Sequence, residues 1–125
     1  MVALHASVSP SEDPAKVLGA ARNVFPDGTY QVEEVQDGFV LRSRERASLQ
    51  KIRDQLRDRR VRAAANRLLL RMRDGRVLNA LLNRQAAAVG VVALCTTATE
   101  SPLGPLVLQV ECDDPEAVIE WLTAY

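Results

Sequence analysis

Val2, Leu4, Ala6 and Val8 alternate with smaller or polar residues, the period-two signature of a half-buried strand, and Pro10 ends the run. Asp13-Pro14 is a helix-start pair: the aspartate offers a side-chain cap and the proline is preset for the first helical position. The helix reaches about Asn23, burying Val17, Leu18, Ala21 and Val24 or Phe25, and Pro26 stops it. Residues 29–35 and 39–43 read as strands joined by a hairpin turn at Gln36-Asp37-Gly38. Between Arg46 and Arg73 there is neither glycine nor proline, and the period becomes helical. Leu49, Ile52 and Leu56 form one apolar stripe; Val61, Ala64, Ala65, Leu68, Leu69 and Met72 form another. The stripes lose phase across Arg57-Asp58-Arg59-Arg60, which predicts two helices or one with a sharp bend.

Asp74-Gly75 closes this helical region with a turn. Residues 76–82 and 87–95 read as strands flanking Asn83-Arg84-Gln85, followed by a stiff loop over Ser101-Pro102-Leu103-Gly104-Pro105. A strand over 106–112 leads to Asp114-Pro115, which opens a last helix burying Val118, Ile119, Trp121 and Leu122. The echo between Asp13-Pro14-Ala15-Lys16-Val17-Leu18 and Asp114-Pro115-Glu116-Ala117-Val118-Ile119 follows from shared capping chemistry without a duplication. The order β-α-β-β-α-α-β-β-β-α predicts a single α+β domain over residues 1–125. Its sheet is mainly antiparallel, with helices packed on one face.

Composition fits that reading. A chain of 125 residues, 47% apolar and 26% charged, is one ordinary globular domain. The longest apolar run, from Ala86 to Cys95, has ten residues, half of what a bilayer crossing needs, so no membrane association is expected. The N-terminus lacks a basic region followed by an apolar core and a cleavage site, which points to the cytoplasm. Cys95 and Cys112 lie in apolar runs and read as buried free thiols, with a disulfide open to them if their strands are neighbours.

Charge changes the picture most. From Arg42 to Arg84 there are fourteen basic residues against four acids, a net of +10; the remainder holds two bases and twelve acids, a net of −10. The formal net charge of zero hides this asymmetry. Such a basic segment is the electrostatic footprint of a polyanion-binding surface, because neutralised phosphates release condensed counterions. On a helical net Arg46, Arg53, Arg57 and Arg60 are spaced by seven, four and three and fall in one stripe. Arg62, Arg67 and Arg71 extend the charge along the second helix, and Arg42 and Arg44 add to it from the preceding strand. The competing reading is a solvated face stitched by Lys51–Asp54, Asp54–Arg57 and Asp58–Arg62 pairs. Four acids cannot neutralise fourteen bases, so an excess stays unpaired within the segment.

Catalysis is poorly served. The sole histidine, His5, lies on a terminal strand, and no glycine-rich phosphate loop or nucleophile elbow appears. The acid pairs Glu12-Asp13 and Asp113-Asp114 are accounted for by helix capping, and Glu33-Glu34 by a solvated strand end. No metal, cofactor or small-molecule substrate is indicated, and a non-enzymatic protein is expected. Five aromatics, with Phe39 the isolated candidate for stacking, argue against a single-strand reader built on paired aromatics. Structured RNA contacted through its phosphates fits better.

Three stretches carry a family resemblance: Pro10-Ser11-Glu12-Asp13-Pro14 with Asn23-Val24-Phe25-Pro26, then Leu82-Asn83-Arg84-Gln85-Ala86-Ala87 with Gly90, then Ser101-Pro102-Leu103-Gly104-Pro105 ahead of the helix ending in Trp121-Leu122. Together they resemble the archaeal "uncharacterised protein family 0201", nearly end to end. The resemblance implies a fold similar to the large-subunit ribosomal protein that binds 5S ribosomal RNA, self-association and an archaeal cytoplasmic setting. It implies no catalytic residues. Asn83, Arg84 and Gln85 interrupt an apolar region, either to satisfy buried backbone groups or to contact a ligand. The expected function is RNA binding through Arg46, Arg53, Arg57, Arg60, Arg62, Arg67, Arg71 and Arg84. The alternative is a homodimeric scaffold or protein-interaction module without nucleic acid.

Overall fold

Alternation along the strands sets one apolar face for helices to cover. The computed structural model describes residues 1–57, 60–101 and 103–124. Its strands are β1 (Val2–Ser7), β2 (Gln31–Val35), β3 (Gly38–Ser43), β4 (Arg73–Asp74), β5 (Val77–Leu82) and β6 (Leu106–Glu111). They form one antiparallel sheet in the order β2-β3-β1-β6-β5-β4, so the first and last strands of the chain pair at its centre. Val2, Leu4 and Ala6 of β1, Leu41 of β3, Leu78, Ala80 and Leu82 of β5, and Leu106, Leu108 and Val110 of β6 all belong to the core. The opposite face carries a polar chain in which His5 Nε2 meets Gln109 Oε1 at 3.0 Å and Gln109 Nε2 donates to Asn79 Oδ1 at 3.1 Å. His5 is thereby satisfied as a sheet residue.

The helices close over the apolar face. They are α1 (Pro14–Arg22), α2 (Gln50–Leu56), α3 (Arg62–Arg71), α4 (Arg84–Ala88) and α5 (Pro115–Thr123). A 3-10 turn, Arg46–Leu49, leads into α2, and a second, Ala98–Glu100, precedes β6. Both Asp-Pro starts act as the spacing predicts: Asp13 Oδ1 accepts from Ala15 N at 3.0 Å, and Asp114 Oδ1 from Ala117 N at 3.2 Å. Val17, Ala20 and Ala21 of α1, Ile52 and Leu56 of α2, Ala65 and Leu69 of α3, Ala87 of α4, and Val118, Ile119 and Leu122 of α5 enter the same core. Two helices do replace the 46–73 stretch; the step Asp58-Arg59 between them lies outside the described residues.

One element is not as the pattern predicts. Residues 87–95 form no strand: the chain from Arg84 to Ala88 is α4, and 89–95 is irregular apart from a single bridge between Leu82 and Leu94. Asn83 Oδ1 accepts from Ala86 N at 2.9 Å and so caps a run of Gln-Ala-Ala-Ala, whose high helix propensity outweighs the apolar-run signal. The sheet still has six strands because Arg73–Asp74 pairs with the start of β5. Cys95 and Cys112 are both free thiols. Among the described residues no helix is long and apolar enough to cross a membrane.

Candidate nucleic-acid interface

The basic segment divides by element. Arg42 on β3 pairs with Glu33 across the hairpin at 3.0 Å, Arg73 pairs with Glu116, and Arg76 with Asp113. Those partners all come from the acidic parts of the chain, outside 42–84. Two of the helix-surface pairings, Lys51–Asp54 and Asp54–Arg57, do not form: Asp54 instead accepts from Gln50 Nε2 at 2.8 Å. Asp58–Arg62 lies outside the described residues. Arg46, Arg53, Arg57, Arg67 and Arg71 make no ion pair with any described residue. Distant carboxylates therefore neutralise Arg42, Arg73 and Arg76, while these five guanidinium groups on the helical layer have no carboxylate partner among the described residues.

Arg46 and Arg53 are brought together, and Trp121 does it. Their guanidinium carbons lie 5.3 and 4.8 Å from the Trp121 ring centroid, and Arg53 Nε donates to the Trp121 carbonyl at 2.9 Å. Cation–π stacking and a cation at the C-terminal end of α5 both stabilise this corner. Arg57, one turn beyond Arg53, is exposed, as are Arg67 and Arg71 on α3. No acidic residue occurs in α3, and Arg67 and Arg71 stand one turn apart, a like-charge spacing that costs a few tenths of a kcal/mol in isolation. Arg62 is half-buried on the α3 flank that carries Asn66, whose Nδ2 donates to Thr123 Oγ1 of α5 at 2.9 Å. Arg60 is exposed and lines a groove with Gln55, Val61 and Val91, on the other flank of α2 from Trp121. The expected single stripe of Arg46, Arg53, Arg57 and Arg60 is thus split by the turn after α2. Arg60 departs from it.

Arg84 is a correction. Its side chain is 5% exposed and cannot meet a phosphate on the surface. Nη1 donates to Ser7 O at 2.6 Å and to the Glu12 carboxylate at 3.1 Å, Nη2 to Ser7 Oγ at 3.2 Å, and Nε to Gly104 O at 3.0 Å. Ser101 Oγ accepts from Arg84 N at 3.1 Å and donates to Gln85 Oε1 at 3.1 Å. Left-handed backbone at Leu103 and Gly104 (φ 65° and 89°) turns the loop that presents the Gly104 carbonyl. The three motif stretches singled out from the sequence meet here. Asn23 Nδ2 adds a bond to Ala87 O at 2.9 Å at the end of α4. This hub ties the end of β1 to α4 and the 101–104 loop. Glu12, read from the sequence as a helix-cap residue, is instead its anion, with 9% of its side chain exposed.

Sequence reasoning missed Trp121 as an organiser of the arginines; the seven-residue spacing of Arg46 and Arg53 was the available signal. Phe39, the stacking candidate, is half-buried and packs against the core. Among the described residues no cluster of His, Cys, Asp or Glu could hold a metal ion.

Residues 1–111 of the chain match a family described as RNA binding. The UPF0201 protein of Sulfurisphaera tokodaii is 40% identical over 98% of this chain and 86% of its own length. That of Sulfolobus acidocaldarius is 36% identical with the same coverage. The chain belongs to this UPF0201 family. A crystal structure of the UPF0201 protein from Methanococcus jannaschii is 26% identical. It superposes with a TM-score of 0.73 over 99% of this chain and 92% of that one. A further uncharacterised UPF0201 crystal structure, 28% identical, gives 0.72 over 90% and 83%.

Proposed function

We propose that this is a non-enzymatic RNA-binding protein that holds the phosphate backbone of structured RNA on the arginines of α2 and α3. The observation that carries the reading is the division of charge: Arg42, Arg73 and Arg76, on the strands and their turns, are paired by distant acids, while Arg57, Arg67 and Arg71 are exposed with no carboxylate partner among the described residues. The family description supports it. An anionic strand crossing this layer turns the repulsion between Arg67 and Arg71 into attraction, and guanidinium forks suit phosphate oxygens. Arg46 and Arg53 add charge while anchored on Trp121; Arg60 and Arg62 extend the surface at its margins.

The test is a triple substitution, Arg57→Glu, Arg67→Glu and Arg71→Glu, at side chains that make no hydrogen bond or ion pair with any described residue. Circular dichroism and melting temperature remain those of the parent, while retention of a hairpin RNA in a filter-binding assay is lost. Equal retention by parent and triple variant removes the reading. A scaffold that joins two copies through apolar contacts would give that result.

A further inference from the structure

A cleft of about 570 Å³ opens where the N-terminal end of β2 meets the end of β3. Its volume falls within the roughly 300–1,000 Å³ range of small-molecule sites. It is lined by Tyr30, Gln31, Arg42, Ser43, Arg44 and Glu45. We infer that this cleft receives one unpaired nucleotide of a bound RNA, its base against Tyr30 and its phosphate on Arg42 and Arg44. The inference rests on the RNA-binding reading above and names what its surface takes in at one end.

Six observations carry it. Arg42 is held in place through Nε, which donates to Glu33 at 3.0 Å, and its two terminal nitrogens have no described partner. A guanidinium fixed by one edge presents the other as a ready fork for phosphate oxygens. Arg44 is exposed and makes no hydrogen bond or ion pair with any described residue. Ser43, buried between them, accepts from Glu45 N at 3.0 Å and so stiffens the bend that follows β3. Tyr30 is braced from behind by Phe25, ring centroids 5.9 Å apart, yet keeps part of its surface open to the cleft. An aromatic ring supplies a stacking face that any base can use. Gln31 sets an amide donor and acceptor beside it, the groups that pair with base edges. Continuity supplies the last support: Glu45 leads directly into the 3-10 turn that carries Arg46, so a strand tracking Arg46 and Arg53 passes the mouth of the cleft.

Neither charge nor aromatic surface alone explains that combination. Phosphate without a base leaves Tyr30 unused, and a base without phosphate leaves both guanidinium forks empty.

The experiment titrates the full chain with adenosine 5′-monophosphate, uridine 5′-monophosphate, adenosine and inorganic phosphate, following backbone amide shifts of residues 29–31 and 42–45 by NMR. Both monophosphates are expected to saturate at this cleft and to bind more tightly than adenosine or phosphate. Arg44→Glu weakens them by about tenfold or more, the loss expected for a charge-assisted contact turned repulsive. Tyr30→Leu, which keeps apolar bulk against Phe25, weakens them as well. The Arg57, Arg67 and Arg71 triple variant binds the monophosphates as the parent does. The inference is overturned if the monophosphates bind no tighter than phosphate alone, or if both cleft variants bind them unchanged. Failure here with hairpin RNA still bound by the parent leaves the RNA-binding reading standing; failure of the parent to bind hairpin RNA removes both.

Discussion

Arg84 carries the same charge as Arg67 and does the opposite job. Its guanidinium is spent on two backbone carbonyls, a serine hydroxyl and the Glu12 carboxylate, all inside the protein. Removing one partner of a buried pair strands the other, a loss of about 3–5 kcal/mol. Arg84→Met is therefore expected to lower unfolding stability by about that amount in a urea titration. The double change with Glu12→Gln should lose less than the sum of the two singles. A loss under about 1 kcal/mol would mean that the pair is solvated and contributes as little as surface pairs do. Cys95 is the other telling residue. Burial, with the Glu100 carboxylate adding, pushes its thiol above the ordinary value. Folding favours the neutral thiol, so its contribution is whole below the unfolded-state value and is lost as pH rises through the folded one. Cys95→Ala should flatten the alkaline limb of the stability curve. In the parent, a thiol reagent should modify the half-buried Cys112 before Cys95. Equal labelling rates would contradict the packing of Cys95 beside β5.

At the scale of elements, strands with clean alternation and helices with Asp-Pro starts were legible because the signals there are local. The hairpin is one such case. Gly38 has φ 155°, and a Cβ placed on it would stand 2.1 Å from the Ala6 carbonyl oxygen of the neighbouring strand. Gly38→Ala should cost on the order of 2 kcal/mol or more, through backbone strain and a clash with β1 that only a backbone shift relieves. An unchanged thermal midpoint would show that the β1–β3 register is looser than drawn. What misled was the apolar run from Ala86 to Cys95. Its first residues are alanines behind an asparagine cap and coil into α4. Its later residues are held by tertiary bonds that no local pattern encodes. Gln55 donates to Gly90 O at 3.1 Å and accepts from Val92 N at 2.7 Å, and Cys95 N bonds to Leu81 O at 2.8 Å. The basic stripe was legible as far as Arg57, where helical geometry holds. It failed at Arg60, beyond the end of α2, and at Arg84, whose burial depends on a glutamate seventy-two positions away.

For the whole molecule, the equal and opposite charges of the two parts of the chain are only partly cancelled by folding. Glu33, Asp113 and Glu116 reach bases on the strands and their turns, and the outer surface of α2 and α3 keeps its excess. Counterion release on that surface makes association with RNA steeply dependent on salt. The measurement that tests this most directly is the slope of log affinity against log salt for a hairpin RNA, compared between the parent and the Arg57, Arg67 and Arg71 triple variant. The account predicts a steep negative slope for the parent, reduced by about one for each phosphate contact removed, with affinity lowered at every salt concentration. The same affinity and slope in both proteins would contradict it.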